Sequence, residues 1–500
     1  MTDWKKFKSG TDIRGTASEG AGEPVTLTDE AVVRMAKAFV GWLGDRLGKK
    51  DLKISVGHDS RISAPRLKAC VLEGFRACGV SAVDCGLCST PAMFMTTQLP
   101  ETDCDGAVQL TASHHPFQKN GLKFFTKEGG LDGSDISELL SRCEKNEFEA
   151  RAGLSVREVP FLDLYSRMLV EKVEKACGKR EPLRGFRVVV DAGNGAGGFY
   201  VEKVLKPLGA DTTGSRFLDP DGRFPNHIPN PENKQAMQSI CEAVTLNHAD
   251  FGIIFDTDVD RAGAVGADGT EINRNRLIAL ISAVLLEENP GCTIVTDSVT
   301  SDGLADFLAA KGGVHHRFKR GYRNVINECV RLNREGVDCP LAIETSGHAA
   351  LRENYYLDDG AYLVTRLLVK MAKLREEGKR LEDLTADLRV PAEEAEIRMG
   401  FFVEDFKTYG TRVLEELEAV CRRTEGFRVA ADNREGVRVN LDQAHGNGWF
   451  LLRMSLHDPI MPLNIESEEA GGTKRIARAL LGLLKDYEGL NLENLQNFLK

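Results

Sequence analysis

Short β-branched runs alternate with longer amphipathic stretches along most of this chain. LKISVG, FRVVVD and FGIIFD are such runs, and stretches with helical spacing of apolar residues lie between them. This alternation predicts α/β layers with largely parallel sheets. The C-terminal part differs, because several strand-like runs follow one another there with a helical stretch at each end. That pattern predicts a smaller α+β domain.

The length of the chain requires more than one hydrophobic core. At about 150 residues per domain, 500 residues predict three to four domains. We place the boundaries near residues 158, 273 and 391. The predicted domains are α/β over 1–158, 159–273 and 274–391, and α+β over 392–500.

Composition and charge argue against several classes of protein. Apolar residues make up 42% and charged residues 28%, as in ordinary soluble proteins, and no apolar stretch approaches the roughly 20 residues of a membrane span. A net charge of −10 without basic runs argues against nucleic-acid and membrane partners. The 12 scattered cysteines and the lack of a visible signal peptide predict a cytoplasmic protein with free thiols. The sequence does not specify an oligomeric state.

A serine segment, TASHHP at residues 111–116, follows the strand-like run GAVQL. Ser113 would therefore lie at the end of a strand, where α/β proteins place their ligands. A serine hydroxyl is a poor nucleophile unless a base or a metal assists it, and His114 and Lys123 are close enough in sequence to help. The alternative is a polar turn closed by Pro116.

An acidic loop directly follows the run FGIIF. Asp256, Asp258 and Asp260 alternate along it, and their carboxylates would repel each other unless they share a cation. Oxygen ligands indicate Mg²⁺ or Ca²⁺, but an EF-hand needs glycine where this loop has Arg261. Mg²⁺ holding a phosphoryl group, with the arginine beside it, fits better. The alternative is a solvated acidic turn.

Three further segments are weaker. Carboxylate, hydroxyl and imidazole groups in ETSGH, residues 344–348, could bind a polyol, or the segment could cap a helix. The turn 453–459 carries an arginine and a serine that could bind phosphate. GNGAGG at 193–198 satisfies GxGxxG, but we interpret it as a strand-to-helix turn that needs small residues rather than as a dinucleotide site.

Five segments occur in an order that points to one family. They are GTDIRG at 10–15, TASHHP at 111–116, PDGRFPNH at 220–227, DTDVDR at 256–261 and ETSGH at 344–348. Together they resemble the α-D-phosphohexomutase superfamily over nearly the whole chain, and ETSGH favours the phosphomannomutase/phosphoglucomutase branch. The resemblance implies four domains around a central cleft, three related α/β domains with mixed sheets and a smaller α+β domain.

The resemblance also implies a reaction and its residues. Phosphate would move reversibly between O1 and O6 of a hexose phosphate through a phosphoserine and a hexose 1,6-bisphosphate intermediate, which also activates the enzyme. The implied catalytic residues are Ser113 as the phosphoserine, Lys123 as the leading general base, His114 as its assistant, and Arg14 and Arg261 on the phosphoryl group. The implied Mg²⁺ ligands are Ser113, Asp256, Asp258 and Asp260. The implied sugar contacts are Glu344, Ser346, His348, Arg320, Gly321 and Arg323, and the implied phosphate ligands are Arg453, Ser455 and His457.

The phosphate loop departs from the family pattern R-x-S-G/N-T-E-P. Leu456, His457 and Asp458 replace the glycine or asparagine, the threonine and the glutamate. Four alternatives therefore stay open. One is a non-catalytic or altered-specificity sugar-phosphate-binding homologue. Two others are a phosphoglucosamine mutase and a glucose-1,6-bisphosphate synthase. The last is a phosphatase of haloacid dehalogenase type, with Asp256 as the nucleophile.

Overall fold

The polypeptide divides into two units, each built from two segments of chain. A computed structural model describes residues 2–20, 22–149, 151, 153, 155–455 and 458–500. The first unit comprises Met1–Val284 and Ser346–Leu384, and the second comprises Leu285–Thr345 and Thr385–Lys500. Within the described residues, no helix is both long and apolar enough to cross a membrane.

A mixed eight-stranded sheet organises the N-terminal part of the first unit. Its strands, in spatial order, are Lys8–Ser9, Asp12–Thr16, Lys119–Thr126, Gly106–Leu110, Lys53–His58, Ser81–Leu87 and Ser155–Glu158, with Gly129–Gly130 paired to Lys119–Thr126. Its helices are Asp29–Leu47, Ala64–Ala77, Thr90–Met95 and Gly133–Lys145, after a 3₁₀ turn at Trp4–Phe7. Parallel pairing at the centre brings the carboxyl ends of several strands to one edge, where loops can carry function.

A four-stranded mixed sheet forms the rest of the first unit. Its strands, in spatial order, are Glu271–Ile272, Ala262–Gly266, Phe251–Phe255 and Val188–Asp191. Its helical elements are Phe161–Cys177, a π-helical turn at Val201–Leu205, Lys234–Asn247 and Gly360–Glu376, with short turns at Arg352–Asn354 and Glu382–Thr385. A hairpin of Ala349–Leu351 and Leu357–Asp358 precedes the last helix, and Arg274–Glu288 leads along the chain to the second unit.

The second unit joins a parallel sheet to an antiparallel one. The parallel strands are Val314–Arg317, Thr293–Thr296 and Leu341–Ile343, with helices Asp302–Ala310 and Tyr322–Arg334. The antiparallel strands, in spatial order, are Glu393–Gly400, Ile460–Ser467, Gly448–Leu452, Val437–Leu441 and Phe427–Val429. The accompanying helical elements are Phe406–Cys421, a short turn at Gln443–His445, Gly472–Leu484 and Glu493–Leu499.

Buried arginines connect these two sheets. Arg438, on an antiparallel strand, lies 3.6 Å from the ring centroid of Trp449 and donates to Asp302 Oδ1 at 2.8 Å. Arg317, on a parallel strand, donates to the same carboxylate at 3.0 Å and to Asp432 at 2.9 Å. A carboxylate shared by two buried guanidinium groups holds both sheets in one unit, because separating them would leave buried charges unpaired.

The predicted fold class is confirmed: mixed α/β sheets are followed by an additional C-terminal sheet with helices. Two strands were not predicted, namely Lys119–Thr126, which carries Lys123, and Glu393–Gly400. The run LAIE, residues 341–344, is predicted to lead directly into a helix, and this is wrong, because the hairpin of Ala349–Leu351 and Leu357–Asp358 comes first and the helix begins at Gly360. The domain boundaries near 158, 273 and 391 and the central cleft stay predictions.

Candidate active site

The serine loop, residues 111–119, follows the strand Gly106–Leu110 and turns back into the neighbouring strand. Ser113 has a left-handed backbone, with φ of 50°, and only 1% of the residue is exposed. Its N–H donates to Thr111 Oγ1 at 2.9 Å, and its hydroxyl donates to Asp256 Oδ2 at 3.1 Å. A positive φ is uncommon for a residue with a Cβ, so the surrounding contacts must hold this conformation.

The metal loop, residues 256–261, follows the strand Phe251–Phe255. The three carboxylates of Asp256, Asp258 and Asp260 are buried, and their oxygen atoms lie within 4.8 Å of one another. Oδ1 of Asp258 and Oδ1 of Asp260 accept no hydrogen bond from any described residue. Buried carboxylate oxygens without donors fit a hard divalent cation, since a cation would use them as ligands.

The charges in this loop are strongly coupled. Burial, and then the charges of Asp260 and Asp258, raise the pKa of Asp256 well above its usual range. Burial also acts to raise the pKa of Asp260, but the charges of Lys123 and Arg261 outweigh it and the pKa falls. The loop therefore needs positive charge around it to keep its carboxylates ionised.

Lys123 supplies part of that charge. Its Nζ lies 3.2 Å from Asp258 Oδ2 and also contacts Asp260 Oδ2. Asp258 accepts a further hydrogen bond from the hydroxyl of Thr90, at the start of the helix Thr90–Met95. The lysine predicted as a base thus pairs with two of the carboxylates predicted as metal ligands.

Arg261 contacts Ser113 and two histidines, His114 and His348. Its Nη2 lies 3.4 Å from Ser113 Oγ and 3.2 Å from His114 Nδ1. Its Nε donates to His348 Nε2 at 2.9 Å, and the other ring nitrogen of that histidine contacts Asp358. The predicted residues Arg261, His114 and His348 therefore do lie together around Ser113.

The histidines of the serine loop are held neutral. Burial, and then the charge of Arg261, lower the pKa of His114 to about 2, and burial followed by the charge of Arg14 lowers the pKa of His115 to about 4. Arg14 itself lies on the strand Asp12–Thr16 and donates to Asp12 at 3.0 Å. Neutral His114, with Nδ1 3.3 Å from Ser113 Oγ, is placed to exchange a proton with that hydroxyl.

The predicted sugar-binding residues of the second unit lie at or beside the start of one helix. Glu344 is 4% exposed and accepts the backbone N–H of Gly321, which precedes the helix Tyr322–Arg334. The backbone N–H of Arg320 donates to Glu435 Oε2 at 3.1 Å. Arg323 lies in the first turn of that helix, and Ser346 is a buried residue of the first unit.

The predicted phosphate loop lies at the end of the strand Gly448–Leu452. Arg453 is 6% exposed, and its Nη1 lies 3.9 Å from Glu435 Oε1. The N–H of Ser455 donates to Ile460 O at 3.0 Å, which closes the turn. Leu456 and His457, where the loop departs from the family pattern, lie outside the described residues.

Sequence reasoning missed several residues that contact the site. They are Asp59 and Arg61 beside the serine loop, Thr90 and Asp358 in the first unit, and Glu435 in the second. Asp59 and Arg61 could have been predicted from the sequence, because they directly follow the strand Lys53–His58, and ligands of α/β proteins bind at the carboxyl ends of parallel strands. The GxGxxG segment has a packing role, since a Cβ on Gly195 would come within 2.6 Å of Thr257 O.

A buried serine that contacts an arginine and one carboxylate of a cluster of three, on α/β sheets, defines a candidate phosphoryl-transfer site. Models of phosphoglucomutase/phosphomannomutase α/β/α domains I, II and III match residues 5–150, 163–269 and 273–390. A Phosphomannomutase/phosphoglucomutase of Pseudomonas putida is 30% identical over 87% of this chain and 89% of its own length. A Phosphoglucomutase of Neisseria gonorrhoeae is 29% identical over 93% of this chain and 94% of its own.

A crystal structure of a phosphoglucomutase/phosphomannomutase family protein from Burkholderia thailandensis is 28% identical, with a TM-score of 0.81 over 98% of each chain. The chain belongs to the phosphoglucomutase/phosphomannomutase family. The resemblance expected from the five motifs is therefore confirmed.

Proposed function

We propose that this protein is a phosphohexomutase that interconverts the 1- and 6-phosphates of glucose or mannose through a phosphoserine at Ser113. The observation that carries the proposal is the contact between Ser113 Oγ and Asp256 Oδ2, 3.1 Å apart and buried. It places a potential nucleophile against the metal loop, with Arg261 on its other side. The family relatives named for phosphomannomutase and phosphoglucomutase activity support the choice of sugars.

In the first step the O6 hydroxyl of a hexose 1-phosphate attacks the phosphorus of phosphoserine 113. The bond from phosphorus to Ser113 Oγ breaks, a bond from phosphorus to O6 forms, and a hexose 1,6-bisphosphate results. The attacking hydroxyl loses its proton to a base, for which Lys123 is the leading candidate and His114 an assistant. Arg261 and Arg14 stabilise charge on the phosphoryl oxygens. After the bisphosphate turns round, its 1-phosphate returns to the serine.

The metal loop suits Mg²⁺ in this reaction. Asp256, Asp258 and Asp260 would hold the ion together with Ser113. When bound, Mg²⁺ offsets the negative charge of the phosphoserine and stabilises charge on the transferred phosphoryl group. Lys123 Nζ contacts Asp258 and Asp260, so the proposed base lies directly beside carboxylates that would hold the ion.

The second unit carries the remaining proposed contacts. In the second unit Glu344, Arg320, Gly321 and Arg323 would bind sugar hydroxyls. In the first unit Ser346 and His348 are proposed for the same role. Arg453 and Ser455 would bind a phosphate group, with His457 as a further donor. The backbone contacts support this assignment, since Glu344 accepts the N–H of Gly321 and Glu435 accepts the N–H of Arg320.

The direct test is conversion of sugar phosphates followed by ³¹P NMR. Purified protein with Mg²⁺ and a trace of glucose 1,6-bisphosphate is given glucose 1-phosphate and, separately, mannose 1-phosphate. Ser113→Ala removes the proposed nucleophile, and Ser137→Ala changes an exposed helical serine as the matched control. We expect 6-phosphates from the wild type and the control and none from Ser113→Ala.

Two outcomes would argue against the proposal. Absence of conversion together with absence of phosphate on Ser113 would favour a binding protein without mutase activity. A hydroxylamine-labile phosphate on Asp256 would favour an aspartyl phosphatase, because acyl phosphates are cleaved by hydroxylamine and phosphoserine is not. Conversion of glucosamine 1-phosphate in preference to both other sugars would correct the proposed sugar but leave the reaction in place.

A further inference from the structure

We propose that Arg61 is a positioning residue that holds the serine loop in its reactive conformation, and that Phe224 and Gly222 hold Arg61 in turn. Arg61 contacts none of the reacting atoms. Its guanidinium instead donates to main-chain carbonyl groups of the serine loop. Phe224, from another part of the first unit, packs against the guanidinium.

The guanidinium of Arg61 donates hydrogen bonds to four carbonyl oxygens of the serine loop. Nη1 donates to Pro116 O and Lys119 O, each at 2.8 Å, and Nη2 donates to His115 O at 2.6 Å and to Ser113 O. Four carbonyl dipoles that converge on one point need a cation between them. Arginine suits this position, because its planar fork presents several N–H donors in fixed directions.

Arg61 is itself held rigidly. Only 1% of the residue is exposed, its backbone N–H donates to Asp59 Oδ1 at 2.9 Å, and its Nε lies 3.3 Å from Asp59 Oδ2. Asp59 follows the strand Lys53–His58, so the pair is anchored to the centre of the eight-stranded sheet. Because this ion pair is buried and follows a central strand, it gives the serine loop a rigid support.

The family-like segment PDGRFPNH, residues 220–227, covers this pair. The ring centroid of Phe224 lies 5.3 Å from Arg61 Cζ, a cation–π contact. Gly222 packs against the Asp59–Arg61 turn so closely that a Cβ there would come within 2.4 Å of Ser60 O.

The covering segment has its own anchor. His227 Nε2 lies 3.0 Å from Asp191 Oδ1, and Asp191 ends the strand Val188–Asp191 of the four-stranded sheet. The segment thereby connects the serine loop to the sheet that carries the metal loop. It needs no contact with substrate to affect the reaction.

The support from Arg61 matters for the reaction because it fixes the backbone of Ser113, the proposed nucleophile. Its left-handed backbone is uncommon for a residue with a side chain, and the hydrogen bond from Arg61 to the carbonyl of the same residue helps to hold it. Relaxation would move Ser113 Oγ away from Asp256. A displacement of about 1 Å between reacting groups can lower a rate about a hundredfold.

The first arm of the test rests on the proposed mutase function. Arg61→Lys keeps the charge but cannot reach four carbonyls, and Phe224→Leu keeps an apolar cover but loses the cation–π contact. We expect kcat to fall about a hundredfold for Arg61→Lys and about tenfold for Phe224→Leu, with KM within about threefold of the wild type. Arg366→Lys, which changes a buried ion-paired arginine on the helix Gly360–Glu376, is the control and should keep kcat.

The second arm does not depend on activity. Hydrogen exchange of the peptide 111–119 should accelerate at least about tenfold in both variants, while a peptide over the strand Phe251–Phe255 keeps its wild-type rate. Phe224→Leu decides the question if Arg61→Lys does not fold. Faster loop exchange in a protein whose wild type converts no sugar phosphate would reject the proposed function and retain the positioning role. Unchanged loop exchange, or a kcat equal to that of Arg366→Lys, would overturn the positioning role.

Discussion

Arg261 Nε lies 2.9 Å from His348 Nε2, and the opposite ring nitrogen of His348 contacts the carboxylate of Asp358. A guanidinium N–H can only donate, so Nε2 is the unprotonated nitrogen and the ring proton lies on Nδ1, where Asp358 accepts it. Asp358 also accepts the N–H of Ala349 at 3.0 Å. Asp358 thus sets the tautomer of His348, and the histidine orients the guanidinium that contacts Ser113.

Asp358→Asn should therefore impair the reaction without touching substrate. Asparagine has one acceptor oxygen where aspartate uses two, so either His348 or Ala349 loses its partner. We expect kcat to fall about ten- to hundredfold with little change in KM, by analogy with partners that orient metal-bound histidines. Steady-state kinetics beside Asp306→Asn, an exposed aspartate of the second unit, would check this. Equal kcat values for the two variants would contradict the orienting role.

Lys123 and a divalent cation should substitute for each other in neutralising the metal loop. Lys123→Met leaves the carboxylates of Asp258 and Asp260 buried without their ammonium partner. Removing one partner of a buried pair typically costs about 3–5 kcal/mol, so the variant in EDTA should melt well below the wild type. Mg²⁺ should then raise the Tm of the variant more than it raises that of the wild type.

Lys127→Met changes an exposed lysine in the turn after the strand Lys119–Thr126 and provides the control for this comparison. Its Tm should respond to Mg²⁺ as the wild type does. An equal response in Lys123→Met would mean that the lysine does not compensate the charge of the metal loop. Loss of conversion in Lys123→Met at saturating Mg²⁺ would separately support its role as the base.

Asp258→Asn should weaken metal binding more than it weakens folding. Asp258 Oδ1 accepts no hydrogen bond from the described residues, while Oδ2 accepts from Thr90. Asparagine can keep the hydrogen bond from Thr90 but loses a unit of negative charge toward the cation. We expect the Kd for Mg²⁺ to rise at least about tenfold by calorimetric titration. Asp268→Asn, in an exposed turn of the same sheet, should bind Mg²⁺ like the wild type.

Local sequence signals predicted the elements that local interactions decide. The apolar spacing over Asp29–Leu47 predicts a helix, and the structure has a helix with these bounds, at whose start the Thr28 side chain accepts the N–H of Ala31. The acidic cluster was recognisable because alternating carboxylates after an apolar strand repel each other unless they share a cation, and the cation itself stays a prediction. The serine loop was recognisable for its place at the end of a strand.

Contacts between distant segments explain what the sequence left undetermined. The role of Arg61 depends on carbonyl groups more than fifty residues away, and that of Asp358 on the tautomer of His348. The position of Lys123 on a strand was not predicted, and that strand pairs on both sides, with Gly106–Leu110 and Asp12–Thr16. Strand pairing of this kind overrides the weak local preference of a polar segment.

Glu466 should make the stability of the protein fall as the pH rises. Burial raises its pKa to about 7, against the opposing effects of Arg438 and of Trp449, whose indole N–H donates to Glu466 at 2.9 Å. The unfolded chain keeps the ordinary value of 4.5, so the folded state binds the proton more tightly. The contribution of Glu466 to the free energy of unfolding is therefore fully present below about pH 4.5. It is lost as the pH rises to about 7, above which the free energy of unfolding no longer depends on this residue's titration.

Glu466→Gln should remove this pH dependence, because glutamine accepts the indole N–H without ionising. We expect the free energy of unfolding of the wild type to fall between pH 4.5 and pH 8 by about 1–3 kcal/mol more than that of the variant. Denaturant titrations at both pH values, with Glu488→Gln as an exposed control in the same unit, provide the comparison. A pH dependence that is the same in the wild type and in Glu466→Gln would show that Glu466 stays ionised in the folded protein, with Arg438 offsetting the cost of its burial.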